Sequence, residues 1–375
     1  MSKTTEQSIY DRLSAIPQAG LAAVKELLWT DLNYDYANAP ISARPWPEGT
    51  QNLLAGDPLL LAQHGDFHVI YTPLAAGLTV TAERQVVAHL LPNHPYALFL
   101  FSDPDEQQWH VVNVKLGRTE ESADTPAVAQ RIIRRIAIGS GEQLRTAAER
   151  LALLDIAAIV EAVGQSPPLS PLVIQEQHDR AFDVEAVTKG FFADYEHIFR
   201  QTEERIAGLD ADDEDVRRIF TQQFFNRLLF IMFVERKGWL SFSQPETGRP
   251  RADYLRALWE AHTADAASAG SQSGGANFYR DRLTILFFAG LNNPGGVDYL
   301  TPFPKGFVQQ YIGNVPYLNG GLFEKDALDE REDVLVPDAV FPTILDDLLY
   351  HYNFTVTEST PLDVEVAVDP EMLGK

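Results

Sequence analysis

Two blocks of different patterning predict an α+β chain, a small α/β domain followed by a mainly helical one. Short β-branched and aromatic runs dominate the first half, and long helical periodicities dominate the second. Between them, Gln165 to Pro171 holds three prolines and two serines, a linker composition. The expected division is 1–164 for the α/β domain, 165–177 for the linker and 178–375 for a helical connector domain.

Residues 4–30 read as helical, because Ile9, Leu13, Ile16, Leu21, Val24, Leu27 and Leu28 recur at roughly helical spacing. The stretch from Pro40 to Pro47 reads as a loop. Phe67 to Tyr71 reads as a strand, β-branched and aromatic, between Gly65 and Pro73. A helix is expected over Ala82 to Leu91, with Val86, Val87, Leu90 and Leu91 on one side. Tyr96 to Phe101 is a nearly continuous apolar run, as in a strand covered on both faces. Ser102 to Glu106 makes a turn and Trp109 to Leu116 the returning strand. A further strand over 131–138 and a long helix over 141–163 complete the domain.

After the linker, Ala181 to Ile206 and Asp213 to Lys237 read as long helices, joined by the acidic loop Gly208 to Asp215. Residues 264–277, rich in Ala, Ser and Gly, read as a mobile loop. Arg280 to Leu291 and Phe341 to Tyr352 are further helices. The Asp213 helix is apolar nearly all round, as befits a helix buried among others. Arg227 within it therefore needs a carboxylate or helix-end carbonyls as partner. Asp369, Pro370 and Glu371 form a strong helix start, with an N-cap, Pro at the first position and a favourable charge. The sequence ends at Lys375, before such a helix could stand alone. A continuation is expected, with residues after about Pro361 disordered, or packed on a neighbouring molecule, in the isolated chain, and an apolar patch on the helical domain.

The chain has 375 residues, enough for two domains with real cores. It has no cysteine, which excludes disulfides, iron–sulfur clusters and cysteine zinc sites. There is no signal-peptide pattern and no run long enough to span a membrane, so a cytoplasmic protein is expected. The formal charge is −23, which favours solubility and repels a phosphate backbone except at a local basic patch.

One constellation resembles the PD-(D/E)XK nuclease core. Those enzymes bind Mg²⁺ with an Asp on one strand and an acid two residues before a Lys on the next. Here Pro104-Asp105 precedes Asn113-Val114-Lys115. Asn113 replaces the second acid and leaves the metal short of charge. Asp105, Asn113 and Lys115 thus describe a degenerate nuclease-like site, with Mg²⁺ only on an active reading; an ordinary polar hairpin is the alternative. Arg131, Arg134 and Arg135, followed by Arg145 and Arg150, are the candidate phosphate contacts. Arg131 and Arg135 share a face if the segment is a strand, and all three share one if it is a helix. A solvated face with local ion pairs is the other reading. His64, His68, His89, His94 and His110 lack the close helical pairing of a metalloprotease motif and read as structural.

Phe224 to Leu240 (Phe-Phe-Asn-Arg-Leu-Leu-Phe-Ile-Met-Phe-Val-Glu-Arg-Lys-Gly-Trp-Leu) resembles a segment ahead of the methyltransferase domain in type IIG restriction–modification enzymes. Tyr317 to Glu324 is similar to a second such segment. Asn353 to Val356, Thr360 to Asp363 and Asp369 to Lys375 resemble a third. Trp109 to Leu151 also resembles the amino-terminal part of related phage-defence methyltransferases. The resemblance implies partners: DNA, and a methyltransferase domain or subunit docked on the C-terminal helical region. It implies no cofactor in this chain, S-adenosylmethionine belonging to the missing domain. The Phe-Tyr-Thr-Pro-like segment, the cofactor motif and the Asn-Pro-Pro-Tyr motif do not occur, and an adenine methylase needs the last to hold the flipped base. The expected role is the DNA-contacting and scaffold portion of such an enzyme. The alternatives are an active Mg²⁺-dependent endonuclease and a non-enzymatic adaptor of a phage-defence complex.

Overall fold

A computed structural model describes residues 3–118, 129–209, 214–242, 251–269, 275–294, 307–318, 320–355 and 363–368. The chain divides into two compact units, Met1–Thr188 with Thr357–Val368 and Lys189–Val356 with Asp369–Lys375. Its class is α+β, with the sheet in the first unit and helices throughout the second. Among the described residues no helix is long and apolar enough to cross a membrane.

The first unit opens with α1 (Lys3–Ala19) and α2 (Leu21–Glu26), the latter running into a π-helical turn at Leu27–Asp31. The single helix expected over 4–30 is broken at Gly20, whose φ is +54°. A side chain there would also collide with Glu106, whose Oε2 accepts the Leu21 N–H at 2.6 Å. Only glycine suits that position.

Seven strands follow: β1 (Asp35–Pro40), β2 (Leu59–His64), β3 (Phe67–Pro73), β4 (Ala97–Ser102), β5 (Gln108–Arg118), β6 (Ala129–Gly139) and β7 (Asp363–Glu365). They lie side by side in sequence order. Neighbours are antiparallel except β3 with β4 and β6 with β7. A single-turn helix, α3 (Glu48–Gln51), precedes β2, and α4 (Val80–Leu90) makes the crossover that a parallel β3–β4 pair requires. Thr79 caps α4, its hydroxyl accepting the Ala82 N–H at 3.3 Å.

Each sheet face has its own core. On the α4 face, Ile70, Phe99, Phe101, Val112, Val114 and Ile133 bury against Val86, Val87 and Leu90. On the opposite face Leu98, Leu100, Trp109, Val111 and Ile138 meet Ile16, Leu28, Leu151 and Leu154 around a small apolar void. Strand β4 is buried at every position, which is why it is apolar from Ala97 to Phe101. Each of its Leu and Phe side chains contributes about 1.5–3 kcal/mol.

The helix expected over 141–163 is two helices, α5 (Leu144–Ala152) and α6 (Ile156–Val163). Asp155 caps the second, accepting the Ala157 N–H at 3.0 Å, and cannot do so inside a continuous helix. The expected linker, 165–177, includes the first part of α7 (Pro171–Ala181), which starts with Pro at its first position. The division between the units falls further on, within α8 (Val184–Arg205).

The C-terminal stretch departs from expectation. Residues 363–365 form β7, with Val364 opposite Arg134, and the Val366 N–H donates to the Arg135 carbonyl at 2.9 Å. Val366, Ala367 and Val368 are buried. The run Val364-Glu365-Val366-Ala367-Val368 is β-branched and apolar enough to complete the edge beside β6, and that outweighs its late position. The helix start at Asp369 lies outside the described residues.

In the second unit, α9 (Glu214–Arg236) is largely buried, and α10 (Tyr254–Ala269) extends into the stretch read as a loop. Alanine is a strong helix former, so the Ala-rich start of that stretch is helical. Residues 280–291 are helical as expected, but as π turns at Tyr279–Leu283 and Ile285–Leu291. Phe224 meets Phe225, Tyr279 and Phe341 edge to face, at centroid distances of 5.6, 5.8 and 6.1 Å. Buried Arg227 finds its expected partners: a two-pronged ion pair with Asp329 at 2.8 and 2.7 Å, and the Leu322 and Glu324 carbonyls at 2.9 and 3.2 Å.

Glu235 accepts the Leu255 N–H at 3.1 Å and the Tyr350 hydroxyl at 2.9 Å. Burial pushes its carboxyl up from 4.5 to about 8. The folded protein therefore keeps a proton that the unfolded chain releases above pH 4.5. The contribution of Glu235 to stability should be full at or below that point and fall as pH rises toward 8, by about 2 kcal/mol between pH 5.5 and 7. Urea midpoints should show this slope in the parent and a much flatter one in Glu235→Gln. Equal slopes would remove Glu235 as the cause.

Candidate functional site

Strand β5 sorts the candidate residues by parity, since alternate side chains point to opposite faces. His110, Val112 and Val114 face α4. Trp109, Val111, Asn113 and Lys115 face the other way. Asn113 is buried under α7, where its Nδ2 donates to Asp179 Oδ1 at 2.8 Å and its Oδ1 accepts from Gln175 Nε2 at 2.9 Å. Gln175 also donates to Asp179 at 3.1 Å. Both polar ends of the Asn113 amide are thus used in joining β5 to α7.

Lys115 is exposed beyond Asn113. It borders a cleft of about 260 Å³ together with Glu176, Asp179, Arg180 and Asp183. Three carboxylates against two cations make this cleft unfavourable to a phosphate. Asp105 is exposed in the β4–β5 turn, which Asp103 organises by accepting the Gln107 and Gln108 N–H groups at 2.8 and 3.0 Å. Lys115 stands seven residues beyond the start of β5 at Gln108, roughly 23 Å along an extended chain. The structure therefore does not bring Asp105 together with Lys115. Among the described residues no group of three or more His, Asp or Glu could hold a metal ion. Asp105, Asn113 and Lys115 do not fit a Mg²⁺ site.

The arginines also separate. Strand β6 places Arg131 and Arg135 on the α4 face and Arg134 on the other. Arg131 is exposed. Arg135 is buried, its Nε donating to Glu83 Oε2 at 3.2 Å. Glu83, fully buried on α4, also pairs with His110 Nδ1 at 2.6 Å. Arg134 is half-buried, its Nη1 donating to the Phe182 carbonyl at 3.4 Å and lying 4.0 Å from Asp183. Arg145, on α5, lies 3.7 Å from Glu149 one turn along. Arg150, read with this cluster, donates its Nε to the Ala181 carbonyl at 2.6 Å at the end of α7. The expected basic patch is therefore not one surface. Arg135 is a core ion-pair residue, because a strand places it among Val112, Val114 and Ile133.

Glu83 is the residue that sequence reasoning missed. Its signal was present: it precedes Val86, Val87 and Leu90 by three, four and seven positions, on the apolar side of α4. The histidines near the sheet are mostly engaged in structure. His64 Nε2 accepts the Leu169 N–H at 3.2 Å, and His89 stacks on Trp46 at 5.3 Å. His68 and His94 face each other, Nδ1 to Nδ1, at 3.0 Å.

Over 160 residues, 42% of its length, the chain is 28% identical to a protein of Methanocaldococcus jannaschii described as a "putative type II restriction enzyme and methyltransferase". The match spans 12% of that relative's length. The chain is thus distantly similar to a restriction–modification protein. No family model matches it, and no solved structure matches it.

Proposed function

We propose that the chain is the DNA-contacting and scaffold portion of a type IIG-like restriction–modification system. Adenine-N6 methyl transfer would belong to a methyltransferase domain or subunit docked on the helical unit, and S-adenosylmethionine would bind there. The similarity over 160 residues to a restriction–modification protein carries this reading. The Phe224 to Leu240 and Tyr317 to Glu324 segments add to it, and the sequence contains no adenine-methylase motif. The chain alone should show no calorimetric binding of S-adenosylmethionine. Saturable micromolar binding would overturn the assignment of methyl transfer to another region.

For DNA, Arg131 is an exposed cation of the cluster, as is Arg145, which lies beside Glu149. Arg131→Ala should weaken binding uniformly across sequences and reduce the salt slope by about 1. Gel shifts at several salt concentrations would show this, and an unchanged slope would remove Arg131 from the contact surface. No Mg²⁺-dependent nicking of plasmid is expected. Nicking that disappears in Lys115→Ala would favour the endonuclease reading instead. A chain that binds no DNA yet retains a methyltransferase subunit in pull-down would favour the adaptor.

A further inference from the structure

We propose that His68 and His94 form a binding site for a divalent transition-metal cation of the zinc, copper or nickel type. Both residues are held by backbone hydrogen bonds: the His68 N–H donates to the Tyr96 carbonyl at 3.0 Å and the His94 N–H to the Leu90 carbonyl at 3.0 Å. The two Nδ1 atoms converge at 3.0 Å, with the rings at 80° to one another and 4.9 Å between centroids. Two imidazoles on one tetrahedral Zn²⁺ place their nitrogens about 3.3 Å apart, from Zn–N bonds of about 2.0–2.1 Å. An opening of a few tenths of an ångström, with a turn of each ring that brings both lone pairs onto one ion, converts the observed pair into a chelating one. Both rings are half-buried, so a hydrated ion can reach them. The Asp66 carboxylate adds negative potential at His68.

In the metal-free pair, one Nδ1–H donates to the other Nδ1. On binding, the donor ring moves its proton to Nε2 and both Nδ1 lone pairs go to the metal. No net proton is released from the pair. Among the described residues no third His, Asp or Glu completes a larger group, so water fills the remaining positions. Imidazole nitrogens suit Cu²⁺, Ni²⁺ and Zn²⁺ and not Mg²⁺.

The test is a calorimetric titration of the full chain with ZnCl₂ and, separately, MgCl₂ at pH 7.5. One saturable Zn²⁺ site is expected and no Mg²⁺ site. His68→Gln and His94→Gln should each weaken Zn²⁺ binding tenfold or more, with far-UV circular dichroism confirming that the variants fold. Nitrogen-15 spectra of the unsubstituted protein supply a readout that does not depend on the variants. Zn²⁺ should move the Nδ1 signals of two histidines, lost one at a time in the two variants where these fold. Absence of saturable Zn²⁺ binding, full retention in both variants, or shifts confined to other histidines would overturn the site.

Discussion

Asp329→Ala should lower the unfolding free energy by about 3–5 kcal/mol, a large part of the stability of an ordinary domain. Arg227 sits on α9 with 2% of its side chain exposed, against 0% for Asp329. Removing the carboxylate leaves a guanidinium in the core with neutral neighbours, the Leu322 and Glu324 carbonyls, the Gln223 amide oxygen at 3.1 Å and the Phe287 and Phe288 rings at 5.5 and 5.0 Å. Those neighbours do not neutralise a charge. Replacing both partners by apolar residues of similar size (Arg227→Met with Asp329→Leu) should cost less than Asp329→Ala alone, because no stranded charge remains. Urea unfolding of the parent and the two variants would decide it. A single variant within 1 kcal/mol of the parent would mean that water reaches Arg227 readily.

Glu83→Ala should cost about 3–5 kcal/mol for the same reason, now in the first unit. Glu83 is the buried acid beside both Arg135, at 3.2 Å, and His110, at 2.6 Å. Glu83→Gln should cost less, since the amide oxygen still accepts from one partner. This experiment also bears on the arginine cluster. If Arg135 serves the core, Arg135→Ala shifts the urea midpoint and leaves DNA affinity of the folded protein unchanged. A variant of parental stability with weakened DNA binding would return Arg135 to the phosphate-contacting surface.

Much of this architecture was legible because local patterns carry it. The apolar run of β4, the amphipathic α4 and the all-round apolar α9 each state in sequence how many sides are covered. Arg227 could be assigned its kind of partner before any partner was visible, since a charge on a buried helix requires one. Strands β1 and β2 were less legible. Strand β1 is polar and almost wholly exposed at the sheet edge, so it carries no alternation to read. Strand β7 is three residues long and joins β6 from more than two hundred residues away, a pairing that no local pattern announces.

For the candidate site, the residue types by themselves determined what each could do: Asn113 could not supply a metal-binding charge, and a strand would part Arg134 from Arg131 and Arg135. Sequence also determined that the first half would hold a sheet and the second half buried helices, because periodicity follows from backbone geometry. Only the tertiary structure decided which neighbours those side chains meet. It set α7 over Asn113, put Glu83 against Arg135, separated Asp105 from Lys115 along β5 and brought His68 to His94. Such contacts join residues distant in the chain, and their energies depend on burial and distance that no local segment specifies.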